Sequence, residues 1–453
     1  MREPVAPRRH GLSPAQVLAI GFVGIIGAGT FLLALPVSAG PGHDISLIDA
    51  FFTATSAVCV TGLIVVDIAT AFSTFGHGVV MALIQAGGLG YMTLSAMLVV
   101  ALGKRLTLRE RVTLQEGLNM QSREGMVRFL WTVVKTTAVV EAAGALILAV
   151  WWWREFDLGR AVWLGAFHAV SAFNNAGFSL FSDNLVRYRG DPVVNVVITG
   201  LIVAGGLGFF VLRELRDGRP FREFTLHSRM AIVLTLTLLG VGFLALLALE
   251  WRNPRTLGPL GWFESVLAAW FASVTPRTAG FNTIDVGGMT VPSIFLTIVL
   301  MFIGASPGGT GGGVKTTTFG VAVLALWATV RGEPEPVVFR RRIAIEVVLR
   351  AFFISLLAFL AVNLVTGALL VIERQDLMKT LFEVTSAFGT VGLSMGLPGS
   401  SISLAGHFSD AGKLLLVAMM FIGRVGPLTV AVALAHRAER SHVRYPEGRV
   451  MIG

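Results

Sequence analysis

Cysteine is almost absent from this chain: Cys59 stands alone among 453 residues, and only three tyrosines accompany 31 phenylalanines. A single thiol cannot close an internal disulfide, which excludes a disulfide-stapled scaffold and dithiol redox chemistry. So few tyrosines imply aromatic surfaces that seldom need a polar tip. Charge is scarce as well, at 14% of residues against 54% hydrophobic, far too little for a water-soluble domain. No histidine or cysteine grouping at metal-ligand spacing and no nucleophile beside a base stands out, which argues against a membrane-bound enzyme. The lone His168 reads as structural.

What is present instead is a series of apolar runs long enough for a bilayer. A spanning helix needs about 20 mainly apolar residues, so eight spans use roughly 160 and leave room for loops and re-entrant segments. Arg8 and Arg9 precede the first run, Ala15 to Pro36, but that run is too long for a signal-peptide core and lacks a small-residue cleavage site. It reads as a retained helix. A net charge of +9 raises the question of nucleic acid, yet the cations sit in the short gaps between apolar runs. They cluster at Lys104, Arg105, Arg109 and Arg111, at Arg213, Arg216, Arg219 and Arg222, at Arg340 to Arg342, and in the tails at Arg437, Arg440 and Arg444. Under the positive-inside rule these gaps and both termini are cytoplasmic. The alternate gaps carry Asp44, Asp49, Asp157, Asp183, Asp191, Asp285, Asp376 and Asp410 and face outward.

Four short segments repeat along the chain: FTATSAVCVTGL (Phe52 to Leu63), FHAVSAFNNAGF (Phe167 to Phe178), WFASVTPRTAGF (Trp270 to Phe281) and FEVTSAFGTVGL (Phe382 to Leu393). Each sets an aromatic ten residues before a glycine, and the glycines Gly62, Gly177, Gly280 and Gly392 stand 115, 103 and 112 residues apart. Each interval holds two spans and a shorter segment. The expected fold is all-α and membrane-integral: four tandem helix, pore-loop, helix units over residues 1–110, 111–220, 221–335 and 336–453, with pseudo-fourfold symmetry around one pore. Outer helices are expected near 15–36, 128–153, 229–250 and 343–372, and inner helices near 76–103, 191–212, 292–330 and 411–436. Ser56, Ser171 and Ser386 lie six residues before their glycines, whereas the third copy has Val274 there and Ser273 one earlier, which predicts local distortion of the third loop.

Non-helical backbone survives at membrane depth only where it is buried in protein or lines a wet cavity, so four such loops imply a shared cavity. Short helices ending there would aim their partially negative C-termini at it, and carbonyls beyond them would replace a cation's hydration shell. Glycine suits such a loop because it adopts left-handed backbone and adds no side chain to the path. The filter candidates are Val60, Thr61 and Gly62; Asn175, Ala176 and Gly177; Thr278, Ala279 and Gly280; Thr390, Val391 and Gly392. No Asp or Glu lies among them, so backbone dipoles must coordinate, which favours a monovalent ion such as potassium over calcium or magnesium. Glycines at helix-packing faces of an unrelated secondary carrier are the bland alternative. Glu264 and Glu383 lie on the approaches to the loops, where they either stabilise a helix start or attract cations. Asn174, Asn175 and Arg277 are candidate braces.

In these motifs the chain closely resembles the Trk/Ktr/HKT superfamily of potassium transporters, whose four pore loops read like VTGL, NNAGF, RTAGFN and GTVGLS. The resemblance implies that Gly62, Gly177, Gly280 and Gly392 are the key filter glycines, and that glycine rather than serine at position 62 favours potassium over sodium. A sodium-permeable relative is the alternative within the superfamily. A short N-terminal stretch fits the Ktr-type membrane subunit best. By that resemblance the protein works in the cell membrane as a homodimer on a cytosolic ring of RCK-type subunits. The chain itself carries no organic cofactor, nucleotide being expected only on the regulatory partner.

Below the third loop, GASPGGTGGGVKTTT (Gly304 to Thr318) interrupts the sixth span, and its glycines and proline predict an unwound stretch. It superficially looks like a phosphate-binding loop, but Val314 separates Gly313 from Lys315, where that pattern needs lysine directly after glycine. The Ktr-like reading makes it an intramembrane gate formed by Gly308, Gly309, Thr310, Gly311, Gly312, Gly313 and Lys315, with a passive kink as alternative. Arg424 in FIGRVGPL is an intramembrane charge, hence functional by default, and the resemblance places it in the pore as the gate's partner. The AGGLG motifs at Ala86 to Gly90 and Ala204 to Gly208 read as sites of close helix packing or bending.

Overall fold

The computed structural model describes residues 14–90, 126–397 and 402–434. The cation clusters at Lys104 to Arg111 and in the two tails lie outside these residues. The described elements run, in order, α1 (Pro14–Leu33), α2 (Leu47–Val58), α3 (Ile68–Ala71), α4 (Thr74–Leu89), α5 (Met126–Trp152), α6 (Leu158–Phe173), α7 (Pro192–Leu207), α8 (Phe209–Arg216), α9 (Leu226–Glu250), α10 (Trp262–Val274), α11 (Val291–Phe302), α12 (Thr316–Val330), α13 (Ile345–Glu373), α14 (Leu377–Gly389), α15 (Asp410–Val425) and α16 (Pro427–Leu434). A two-residue hairpin pairs Val337 with Arg342 and Val338 with Arg341 before α13.

A long helix, a short helix, a glycine loop and a second apolar helix follow one another four times. The long helices α1, α5, α9 and α13 are apolar enough to cross a membrane, yet only 22–28% of each spanning window is buried. Their exposed faces carry Phe31, Leu146, Leu244 and Leu364, the pattern of a surface solvated by lipid tails. The short helices α2, α6, α10 and α14 are the reverse: Phe52, Phe167, Phe271 and Phe382 are fully buried at the centre of the molecule.

Each second helix is tied at its start to the end of its long partner. Ser73 caps α4 and donates to the Val37 carbonyl at 2.6 Å; Asp191 caps α7 and accepts from Trp151 Nε1 at 2.6 Å. Thr290, before α11, donates through its hydroxyl to Glu250 at 2.7 Å, and Ser409, before α15, donates to Glu373 at 2.5 Å. Ser73, Asp191 and Ser409 also accept from backbone amides in the first turns of their helices, which a helix start leaves open.

The second helices are not the continuous rods expected near 191–212, 292–330 and 411–436. Glycines with left-handed backbone stop them: Gly90 (φ 77°) after α4, Gly208 (φ 95°) after α7 and Gly426 (φ 96°) after α15. At Gly208 the chain turns by 104° into α8. The third breaks over residues 303–315, the glycine-rich stretch, before resuming as α12. These breaks leave four helices among the described residues long enough to cross a membrane, or five if α7 and α8 count as one bent span.

Candidate functional site

The four glycine loops converge on one ring. A methyl group placed on Gly177 would lie 2.8 Å from the Ala279 carbonyl oxygen, and one on Gly62, Gly280 or Gly392 would overlap the carbonyl oxygen of Ala176, Val391 or Thr61 respectively. Every glycine thus faces the carbonyl preceding the next glycine, and the fourth closes onto the first. No side chain larger than hydrogen fits at any of the four.

Backbone geometry repeats with the same fidelity. The glycines have φ of 89°, 70°, 78° and 94°, and the residues two before them, Val60, Asn175, Thr278 and Thr390, have φ of 56°, 58°, 72° and 50°. Left-handed backbone at a non-glycine residue costs on the order of 1–3 kcal/mol and persists only where the surroundings impose it. For β-branched Val60, Thr278 and Thr390 it is especially unusual. The preceding helices end only a few residues earlier, at Val58, Phe173, Val274 and Gly389, so their partially negative ends lie beside the ring.

Hydroxyls fasten each loop back to its helix. Ser56 donates to the Leu63 carbonyl and Ser171 to that of Phe178, both at 2.8 Å, while Ser56 and Ser386 accept from the Gly62 and Gly392 amides at 3.1 Å. In the third loop neither Ser273 nor Val274 takes this part. Thr275 does, donating to the Phe281 carbonyl at 2.5 Å, while Ser273 bonds Leu239 instead. The fully buried aromatic is likewise Phe271 rather than Trp270. In the third repeat the buried aromatic and the fastening hydroxyl therefore each stand one residue closer to the glycine, an offset that alignment on the glycines hides.

On one side of the ring lies a cavity of about 590 Å³ floored by Gly62, Gly177, Gly280 and Gly392. Asp67, Asp183 and Asp285 line it, together with the cations Arg255 and Lys379. Glu264 lies in the first turn of α10, but Glu383 is not at a helix start. It is fully buried within α14 and accepts from Ser394 Oγ at 2.6 Å and the Ala405 amide at 2.9 Å, bracing the chain that leaves the fourth loop.

The 303–315 stretch meets the loops from the other side, on residues that precede the glycines. A methyl on Gly311 would overlap Thr278, and the Gly312 amide donates to Thr390 Oγ1 at 2.9 Å. The Thr310 hydroxyl donates to Phe173 at 3.2 Å and its amide to Gly205 at 3.1 Å; the Gly313 amide donates to Gly423 at 3.2 Å. Gly309 is pressed against Gly205 and Gly206, and the Gly308 carbonyl accepts from the Phe209 amide at 3.0 Å. Lys315 donates back to the Gly311 carbonyl. Arg424 supplies the contact to the remaining quarter, donating to the Thr310 carbonyl and to those of Gly87 and Gly88. Gly87, Gly205 and Gly423 also press directly on Val58, Phe173 and Phe388 near the ends of their own short helices.

The glycine loops, the 303–315 stretch and Arg424 are thus in mutual contact. Two braces reach further than the motifs indicate: Arg277 donates to the Ile303 carbonyl and to Thr316 Oγ1, on either side of the unwound stretch, and Asn174 reaches Gln85 and Glu141. Those partners are distant in sequence, and nothing in the local motif signals them.

A family model for TrkH, described as a cation transport protein, matches residues 22–443. The Ktr system potassium uptake protein B of Bacillus subtilis (strain 168) is 43% identical over 441 residues, 97% of each chain. The potassium/sodium uptake protein NtpJ of Enterococcus hirae is 38% identical over 452 residues, 98% of each. The crystal structure of the potassium transporter TrkH from Vibrio parahaemolyticus shares the fold with a TM-score of 0.72 at 19% identity, covering 94% of this chain and 86% of that one. On the family match and these full-length relatives together, the chain belongs to the TrkH family of cation transport proteins, which are membrane ion transporters and not enzymes.

Proposed function

We propose that the protein takes up potassium across the cell membrane through a channel-like path on the axis of the glycine ring. Four tandem units over 1–110, 111–220, 221–335 and 336–453 each contribute a re-entrant loop, and backbone oxygens at Val60 to Gly62, Asn175 to Gly177, Thr278 to Gly280 and Thr390 to Gly392 replace the ion's water. The observation that carries this reading is the closed ring, in which each glycine meets the next loop's carbonyl and leaves no side chain on the path. The name of the B. subtilis relative, a potassium uptake protein, supports the choice of ion. Helices broken at glycines are the proposed reason why eight crossings are not all long helices.

The stretch Gly308 to Gly313 with Lys315 acts as a gate below this filter, and Arg424 latches it. Contacts to the second, third and fourth units, plus Arg424 to the first, support a closed position across the path. The protein works as a homodimer in lipid, with both termini cytoplasmic, on a cytosolic RCK-type ring that carries the nucleotide. The E. hirae relative, named for potassium and sodium, favours a second reading in which sodium also passes.

Flux into liposomes decides between them. Potassium uptake by the purified protein should persist in excess sodium; equal competition by sodium overturns the potassium assignment, and no ion flux at all overturns the pore.

A further inference from the structure

Behind the second filter loop, polar side chains from three elements meet in an otherwise apolar region. Asn174, the residue that ends α6, donates through Nδ2 to Glu141 Oε1 at 2.8 Å and to Gln85 Oε1 at 2.9 Å, and Gln85 Nε2 donates to Glu141 Oε2 at 3.2 Å. Asn174 is fully buried and Glu141 nearly so. No ion pair among the described residues involves Glu141. A carboxylic side chain on a long lipid-facing helix is costly, so its retention asks for a use beyond filling space.

Its neighbours supply one. Gln85 sits in the last turns of α4, and Asn174 packs so tightly on Gly88 that a methyl there would overlap its side chain. Gly87 and Gly88 belong to the final turn of that helix, where the Gly87 carbonyl also accepts from the Gly90 amide at 3.2 Å. The carbonyls of both glycines receive Arg424. Glu141 therefore holds the second filter loop and the end of α4 as one unit, at the spot where the guanidinium lands.

We propose that Glu141 is a positioning residue for gating: acting through Asn174 and Gln85, it fixes the Gly87 and Gly88 carbonyls that receive Arg424. This inference rests on the reading of Arg424 as a latch. Without Glu141 the end of α4 drifts, Arg424 loses its anchor, and resting flux rises.

The test compares resting potassium flux per reconstituted molecule for the full-length protein, Arg424→Ala, Glu141→Leu, Glu141→Gln, Gln85→Leu and the double variant Glu141→Leu/Arg424→Ala. Arg424→Ala should raise flux several-fold, Glu141→Leu should raise it to a similar level, and the double variant should not exceed Arg424→Ala alone. Glu141→Gln keeps an acceptor for Asn174 and should restore most of the block. Gln85→Leu cuts the same link from the α4 side and carries the test if Glu141→Leu does not fold. No change in Arg424→Ala overturns the latch reading and this inference with it. A rise in Arg424→Ala with none in Glu141→Leu or Gln85→Leu, or a double variant in which the two effects multiply, overturns the role of Glu141 and spares the latch.

Discussion

Arg277 donates to the Ile303 carbonyl at 2.8 Å, so a residue of the third glycine loop holds the first residue after α11, where the unwound stretch begins. Its second nitrogen donates to Thr316 Oγ1 at 3.1 Å, at the first residue of the helix that follows. One planar fork thereby staples both ends of the unwound segment to the third loop. Lysine has a single ammonium and cannot reproduce that geometry. Arg277→Lys should therefore loosen the stretch as Arg277→Gln does. Losing hydrogen bonds to a charged group costs about 1.5–3 kcal/mol each, and the fall in thermal stability of the detergent-purified protein measures it. Wild-type stability in both variants would mean that the staple contributes nothing.

The ring is not equally tight at its four corners. Gly177 has the most room, 2.8 Å to the facing carbonyl, whereas a methyl at Gly62, Gly280 or Gly392 overlaps its neighbour outright. Gly177→Ala should be the mildest of the four substitutions, although its φ of 70° still adds strain. Potassium uptake in a strain lacking its own uptake systems, scored with and without competing sodium, ranks them. A tolerated alanine at Gly392 together with a dead Gly177→Ala would contradict the geometry.

Thr275→Val removes the hydroxyl that fastens the third loop and leaves the buried Phe281 carbonyl without that donor. An unsatisfied buried polar group costs about 1–3 kcal/mol, which sets the expected loss of stability. Thr275→Ser should be close to neutral. Adding Val274→Ser to Thr275→Val should not rescue it, because position 274 is out of register with Ser56 and Ser171. Thermal melts of the three variants check the order, and rescue by Val274→Ser would show that the glycine-anchored alignment was right after all.

Lys413 and Asp49 join the start of α15 to the first turn of α2 at 2.8 Å, with side chains only 11% and 19% exposed. Lys413→Met strands a partly buried carboxylate and should cost up to about 3–5 kcal/mol. Lys413→Met/Asp49→Asn should cost much less, since no charge is left unpaired. A double-mutant cycle on thermal stability reads the coupling, and additive single effects would mean that the two charges do not interact.

The order of elements is readable in the chain because glycine and an aromatic ten residues earlier recur at intervals of just over a hundred residues. Long helices announce themselves equally well: the expected 229–250 and 343–372 fall within a few residues of α9 and α13. The broken second helices are less legible. Apolar composition continues through Gly208 and Gly426; at Gly208 the left-handed backbone, which glycine permits without requiring, ends the helix, and at Gly426 Pro427 follows it. Partners across the fold are hidden altogether. Glu141 lies in a run indistinguishable from any other spanning helix, and its meeting with Gln85 and Asn174 depends on packing that no local pattern encodes. The register of the third loop was misleading for a different reason: the glycine is a strong landmark, and the one-residue offset that moves the hydroxyl to Thr275 sits beside it.

The ring has a direction. Gly62 leans on the second loop, Gly177 on the third, Gly280 on the fourth, and Gly392 reaches back to Thr61, 331 positions earlier in the polymer. Three of these joints link loops adjacent along the chain, and only the last joins its beginning to its end. Loop-closure entropy grows only logarithmically with that span, so the thermodynamic cost of the final joint is modest. Without the final quarter only two of the four joints can exist, and the ring is complete only when the fourth loop is in place.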